Sequence, residues 1–350
     1  MPLPPVFCLH SSLFATKGSY LMNMHLVKNI GDKDVKKEAN RKGFGRGLLE
    51  AGKQNENVVG VCADLTDSTK MNEFAEAFPD RFVNVGVAEQ NLVTVGSGLA
   101  SQGKIPFVSS YAAFSPGRNW EQIRTTICLN DQPVKIIGSH AGVSVGPDGA
   151  THQMLEDLAL MRVLPNMVVI APGDAVEAEK ATLAIAKDKR PCYMRLARAD
   201  SPVYTTKNTP FEIGQAYKFA EGKDITVVST GNMTYQALVA AEKLFKDGID
   251  LEVIHCPTIK PLDEATIIAS AKKTGAVITI EEAQINGGLG GAVAEVLGEN
   301  VPVPLKRIGM KDRFGESGEP EELLEHFGLT ARHIGMTAHE LIEIKKEIRS

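Results

Sequence analysis

Residues 82–103, FVNVGVAEQNLVTVGSGLASQG, hold a single carboxylate, Glu89, among small and apolar side chains, amides and hydroxyls. Val83 and Val85 alternate as in the end of a short strand. From Ala88 onward the period turns helical, with Ala88, Leu92, Val95 and Leu99 on one stripe and Glu89, Val93, Gly96 and Ala100 on the next. A helix apolar on two adjoining stripes is largely buried, so Glu89 falls at the buried mouth of a helix that follows a strand. Two roles suit an acid there. One is a first-turn carboxylate that complements the helix dipole, worth a few tenths to about 1 kcal/mol. The other is a carboxyl whose pKa is raised by desolvation so that it shares a proton with a ligand. The window itself leaves both open.

The same strand-to-helix alternation extends in both directions and predicts an α/β fold of two domains, each a mostly parallel sheet covered by helices. Strand-like runs fall near 58–63, 82–85, 105–109, 134–139, 167–170 and 192–196, with helices between them, for example around 115–129 and 174–187. Residues 200–214, DSPVYTTKNTPFEIG, are rich in Pro, Thr and Gly and carry no helical stripe, as a linker would. A second alternation follows through DITVVSTG, DLEVIHC, GAVITIEE and VPLKRIG. The expected organisation is an irregular extension over 1–35, a first domain over 36–200, a linker over 201–214 and a second domain over 215–350. Pro2, Pro4 and Pro5 interrupt the mildly apolar start, and Lys17 comes after it rather than before, which is not the order of a signal peptide. Met22 and Met24 admit a start downstream of these residues.

Composition narrows the function classes. A chain of 350 residues can bury two cores. A net charge of -5 and a pI near 6.0 give no global basic field, which argues against nucleic acid and anionic membrane as partners. The five cysteines are scattered and form no C-x-x-C pair, a pattern expected of a reducing, cytoplasmic compartment rather than a disulfide framework or a cysteine zinc site. No apolar run approaches the length of a membrane span.

In open α/β sheets ligands sit at the carboxyl ends of the strands. Unusual polar and aromatic groups fall at those positions: Asp64 ends VVGVCAD, Glu89 follows FVNVG, Tyr111 and Phe114 follow IPFVSS, and His140 ends VKIIGSH. The loop after His140, AGVSVGPDGATHQ, adds Asp148 and His152, and Arg195 and Arg198 end PCYMRLAR. Each has a plainer alternative. Asp64 suits a helix or turn cap. Tyr111, Phe114 and Trp120 suit a core. The arginines suit surface ion pairs. His140, Asp148 and His152 lack the spacing of a zinc motif, so no metal set is expected in this chain. NGGLGG at 286–291 follows a strand and opens a helix, but it is not G-x-G-x-x-G, and close helix-to-sheet packing accounts for it.

FVNVGVAEQN, GSHAGVSVGPDGATHQMLEDLALMRVLPNMVVIAPGD and EEAQINGGLGGAVAEVL together resemble the carboxyl-terminal half of a transketolase, in order, over about residues 36–345. The resemblance implies a pyrimidine-binding domain followed by the transketolase carboxyl-terminal domain, with thiamine diphosphate as cofactor. In that family the glutamate matching Glu89 hydrogen-bonds a ring nitrogen of the cofactor's aminopyrimidine, which would make Glu89 catalytic. Tyr111 and Phe114 match aromatics that pack on the aminopyrimidine, and Asp64 matches an acid near the thiazolium. His140, Asp148 and His152 match groups that bond sugar hydroxyls, with both histidines also expected to be catalytic. Arg198 matches an arginine that grips the substrate phosphate.

The resemblance also implies a missing part. Transketolases bind the diphosphate and Mg2+ through G-D-G and a later asparagine on a preceding domain, and this sequence holds no G-D-G. The expected arrangement is therefore a split glycolaldehyde transferase. A partner subunit carries G-D-G and Mg2+, and this chain pairs with itself within an α2β2 assembly acting on phosphorylated sugars. Two positions depart from single-chain members, which have an acid where Ala141 stands and a third aromatic where Pro116 and Gly117 stand. Related 1-deoxyxylulose-5-phosphate synthases place an arginine at the position of His140. Beta subunits of 2-oxoacid dehydrogenases share the architecture but lack D-G-x-T-H-Q. A catalytically silent structural subunit is the alternative from another class, and it has no need of Glu89, His140, Asp148 or Arg198.

Overall fold

A computed structural model describes residues 25–349. Two sheets organise the chain. The larger has seven strands, in the edge-to-edge order Thr258–Lys260, Val168–Ile170, Cys192–Arg195, Lys135–Ser139, Ile105–Tyr111, Val58–Cys62 and Phe82–Asn84. All neighbours are parallel except the first pair. The smaller runs Leu305–Met310, Val277–Gln284, Ile225–Ser229, Leu251–His255 and Tyr217–Ala220, again with one antiparallel edge strand. Helices cover both. The central strands are buried along their whole length, which is why they read as continuous apolar runs rather than as alternation.

The two halves are interleaved. Thr258–Lys260 lies far along the second alternation yet adds an antiparallel edge to the first sheet at Val168–Ile170. Thr258–Lys260, bounded by Pro257 and Pro261, carries a single large aliphatic side chain, Ile259, and so gives no apolar run of the kind that marks the other strands. Residues 201–205, in the Pro- and Thr-rich stretch, are tied down as well: Ser201–Pro202 pairs with Lys37–Glu38. The Asp174 carboxylate accepts from the backbone N–H groups of Tyr204 (2.8 Å) and Thr205 (2.6 Å), so the segment is buried at Tyr204 with these backbone donors satisfied. Residues 1–24, most of the expected irregular extension, lie outside the described residues. Leu26, Ile30 and Val35, from its end, pack into the core of the second sheet.

The helix expected over 115–129 is shorter. It begins at Trp120 and winds as a π-helix from Ile123 to Cys128, while residues 112–119 form tight turns. Those turns face the strand ends where the site lies. The helix Asn40–Gln54 packs closely on Ala175–Ile185 because Gly43 and Gly47 have no side chain to keep them apart; a Cβ on Gly43 would lie 1.8 Å from the Ala175 carbonyl oxygen. That contact brings Arg41 to the carboxyl edge of the first sheet. Among the described residues no helix is long and apolar enough to cross a membrane, and Cys62, Cys128, Cys192 and Cys256 are buried free thiols.

Candidate active site

Because five adjacent strands of the first sheet are parallel, their carboxyl ends share one edge, and the residues that follow them form a row. In spatial order the row is Arg198, His140, Tyr111, Asp64 and Glu89, from the strands Cys192–Arg195, Lys135–Ser139, Ile105–Tyr111, Val58–Cys62 and Phe82–Asn84. The chain leaves Val58–Cys62 toward one side and returns as Ile105–Tyr111 on the other, so the middle of the row is a topological switch point, where open sheets part to form a crevice.

Glu89 opens the helix Glu89–Ser101 and is 4% exposed. Its backbone carbonyl accepts from Asn119 Nδ2 at 2.8 Å, and Ser97, two turns along, donates to Thr126 O at 2.7 Å, locking the helix to the π-turn. Glu89 Oε2 pairs with Arg118 Nη1 at 3.1 Å. Oε1 is buried and has no hydrogen-bond partner among the described residues. A buried acceptor left unpaired costs about 1–3 kcal/mol, so a donor from outside these residues would be stabilising there. Arg118 joins Glu89 to the aromatic cluster, since its guanidinium carbon lies 4.1 Å from the centre of the Phe114 ring.

Phe114 stacks on Tyr111 with centroids 5.9 Å apart, and Tyr111 stacks on His140 at 3.8 Å. His152 meets the edges of Phe114 at 5.4 Å and of Tyr111 at 6.1 Å. Glu89, Phe114, Tyr111, His140 and His152 thus form one continuous wall. His140 has φ +58°, a conformation that a non-glycine residue adopts only when its surroundings impose it. Here the Tyr111 stack, Ser139 Oγ at 2.9 Å from Nδ1, and the Ala141 N–H donated to Leu196 O do so. Burial, with Arg41 and Arg198 nearby, pushes the His140 imidazole down to about 3, so near pH 7 it is a neutral hydrogen-bonding group.

Arg198 donates from Nη1 to Val145 O at 3.1 Å, and Arg41 donates to the Arg198 carbonyl at 3.2 Å and to Ser68 O at 2.6 Å. Arg41 remains cationic although burial and Arg198 lower its pKa. Two guanidiniums and a helix amino terminus gathered at one end of the wall suit an anionic group. Asp148 and His152 lie on the loop that Arg198 touches. Asp148 is exposed, as is Asp64, whose carboxylate accepts from Asn84 Nδ2 at 3.1 Å across two neighbouring strand ends instead of capping a helix. Among the described residues neither acid bonds a member of the aromatic wall.

Arg41 and Arg118 escaped the sequence reading. Arg41 and Lys42 occupy a helix's first turn, where basic residues oppose the dipole, and that misplacement was the available signal. Arg195 is no surface pair: it is buried, bonded to Asp157 Oδ2 at 2.9 Å and to the Glu282 carbonyl at 2.7 Å, and it joins the two sheets. Trp120 packs at the edge of the first core and donates to Leu160 O. At NGGLGG the chain's own Glu281 carboxylate, raised to about 7 by burial, accepts from Leu289 N and Gly290 N. An anion position at that helix mouth is therefore already filled. Among the described residues no cluster of three or more His, Cys, Asp or Glu could hold a metal ion.

Residues 36–203 match the transketolase pyrimidine-binding domain, and residues 214–334 match the transketolase carboxyl-terminal domain. The chain belongs to the transketolase family. It is 46% identical to a putative transketolase C-terminal section from Methanocaldococcus jannaschii, over 88% of this chain and 96% of that one. It is 42% identical to a 6-deoxy-6-sulfo-D-fructose transketolase subunit from a Clostridium species, over 85% and 92%. Among solved structures it superposes with a TM-score of 0.82 on a split-gene transketolase described as an inactive beta4 tetramer, at 46% identity, covering 87% of this chain and 98% of that one.

Proposed function

We propose that this chain is the carboxyl-terminal subunit of a split, thiamine-diphosphate-dependent transketolase, which moves a two-carbon ketol unit from a ketose phosphate to an aldose phosphate. The observation that carries the reading is the unpartnered, buried Glu89 Oε1 at the head of the Phe114–Tyr111–His140 wall. An aminopyrimidine fits it: a flat ring for the aromatic faces and a ring nitrogen for the carboxyl. The diphosphate end does not fit this chain, since the sequence has no G-D-G. A partner subunit holding diphosphate and Mg2+ completes the reading, and the similar split-gene transketolase that forms an inactive beta4 tetramer supports it.

When bound, thiamine diphosphate supplies an acidic thiazolium carbon that attacks carbonyls. Glu89 Oε1 would share a proton with the ring nitrogen, and Phe114 and Tyr111 would fix the ring plane. His140, neutral near pH 7, bonds a sugar hydroxyl through Nε2 while Nδ1 stays with Ser139. His152, with Nδ1 on Thr151 and its ring against Tyr111 and Phe114, bonds further hydroxyls together with Asp148. Asp64 would be the acid nearest the thiazolium. Arg198, with Arg41 behind it, takes the terminal phosphate. Sulfonate is the second reading for that anion, favoured by the Clostridium relative's substrate name. Both have oxygens that suit a guanidinium fork. Assaying the chain reconstituted with its partner on fructose 6-phosphate and 6-deoxy-6-sulfofructose separates the two, and failure to transfer from these and from a panel of other ketose phosphates sinks the ketol-transfer reading.

A further inference from the structure

The loop 142–153, which carries Asp148 and His152, is gripped from the second domain. Glu282, near the carboxyl end of the strand Val277–Gln284, sends its buried side chain across the domain junction. Its Oε1 accepts from the Ser144 N–H at 2.6 Å. It packs so tightly against Gly142, at φ +88°, that a Cβ there would lie 2.4 Å from Oε1. Gln153 forms a second grip. Its Nε2 donates to Val143 O and Gly146 O, each at 3.1 Å, within the loop and to Glu316 O at 2.8 Å in the second domain. Three carbonyls around one nitrogen fix the orientation of that amide.

These contacts differ from ordinary interdomain packing because they end on backbone groups of the loop itself. Strands of the first domain set His140, but no strand or long helix of that domain runs through residues 143–153. Their backbone path depends on whichever groups satisfy their donors and acceptors. We propose that Glu282, assisted by Gln153, is a positioning residue of the active site, through which the carboxyl-terminal domain sets the loop that presents Asp148 and His152 to the sugar. The inference rests on the reading that those two side chains contact substrate.

The test uses Glu282→Met, which fills the same volume without an acceptor and removes a buried charge, beside Glu282→Gln, which keeps an acceptor oxygen. Hydrogen exchange on the full chain reads the grip directly. Amides of 143–149 should exchange about tenfold faster in Glu282→Met and at the wild-type rate in Glu282→Gln, as for loss of one buried hydrogen bond. In the reconstituted enzyme Glu282→Met should raise KM for the ketose phosphate by about tenfold with kcat and thiamine diphosphate affinity little changed. Asp148→Ala is the control for the underlying reading. If it raises KM while Glu282→Met alters neither exchange nor KM, the positioning role is wrong and the site reading stands. If Asp148→Ala and His152→Ala both leave KM unchanged, the loop does not touch substrate and the proposal falls with it. Should Glu282→Met fail to fold, Gln153→Leu, which removes only the second grip, carries the same comparison.

Discussion

Arg118 bonds Glu89 Oε2 at 3.1 Å while its guanidinium carbon sits over Phe114, 4.1 Å from the ring centre. A planar cation thus spans the carboxyl and the aromatic face that the proposed function assigns to an aminopyrimidine. Cofactor entry would then require Arg118 to swing out, which its half-exposed side chain permits. Arg118→Gln is expected to tighten thiamine diphosphate binding to the reconstituted pair several-fold, measured by calorimetry. Weaker binding in the variant would mean that Arg118 stays and forms part of the cofactor site.

Glu89→Gln keeps the size of the side chain but cannot share a proton in the same way. Positioned acid–base groups typically contribute about 10² to 10⁴ in rate, and a loss of that order in turnover is expected with the fold intact. The amide is also cheaper to bury than a charge. Near wild-type turnover, with an unchanged circular dichroism spectrum, would remove Glu89 from the chemistry.

Arg198→Ala should cost about 2 to 4 kcal/mol in kcat/KM on sugar phosphates, since charged hydrogen bonds are worth about 1.5 to 3 each. Hydroxypyruvate, a ketol donor without phosphate, should suffer far less. Arg198 also holds Val145 O, so some loss on both donors comes from a loosened loop. An equal loss on the two would make that its whole role, and no loss on either would move the anion site, with Arg41 the next candidate.

The depressed pKa of His140 has a sign that can be worked out. Above pH 6.5, the ordinary value, the imidazole is neutral folded or unfolded and nothing is lost. Below it the unfolded chain takes a proton that the native site refuses until about pH 3, so stability falls across that window. His140→Asn, which tolerates the positive φ, should lose less stability than wild type between pH 6.5 and 4 in urea titrations. Parallel pH profiles for the two proteins would show that the native His140 is not held neutral.

Much of the fold is legible in the sequence. Strand-to-helix alternation gave the two mostly parallel sheets, because buried parallel strands are written as apolar runs and their ends as polar exceptions. Glu89, Tyr111, Phe114 and His140 stood out for that reason. The short edge strand Thr258–Lys260 and the buried role of Arg195 did not, since both depend on partners over 80 residues or more away in an order only the folded chain defines. Glu282 was hidden in the same way, inside a strand whose neighbours gave no hint that it crosses to another domain.

The split-site account is tested most directly by measuring ketol transfer and thiamine diphosphate binding for the purified full-length chain alone, for a transketolase amino-terminal subunit bearing G-D-G alone, and for the two mixed. The account predicts weak binding and no transfer from this chain by itself, with both restored on mixing. Full transfer by the isolated chain, or a mixture that binds cofactor and assembles yet transfers nothing from any ketose phosphate or sulfonate, would contradict it.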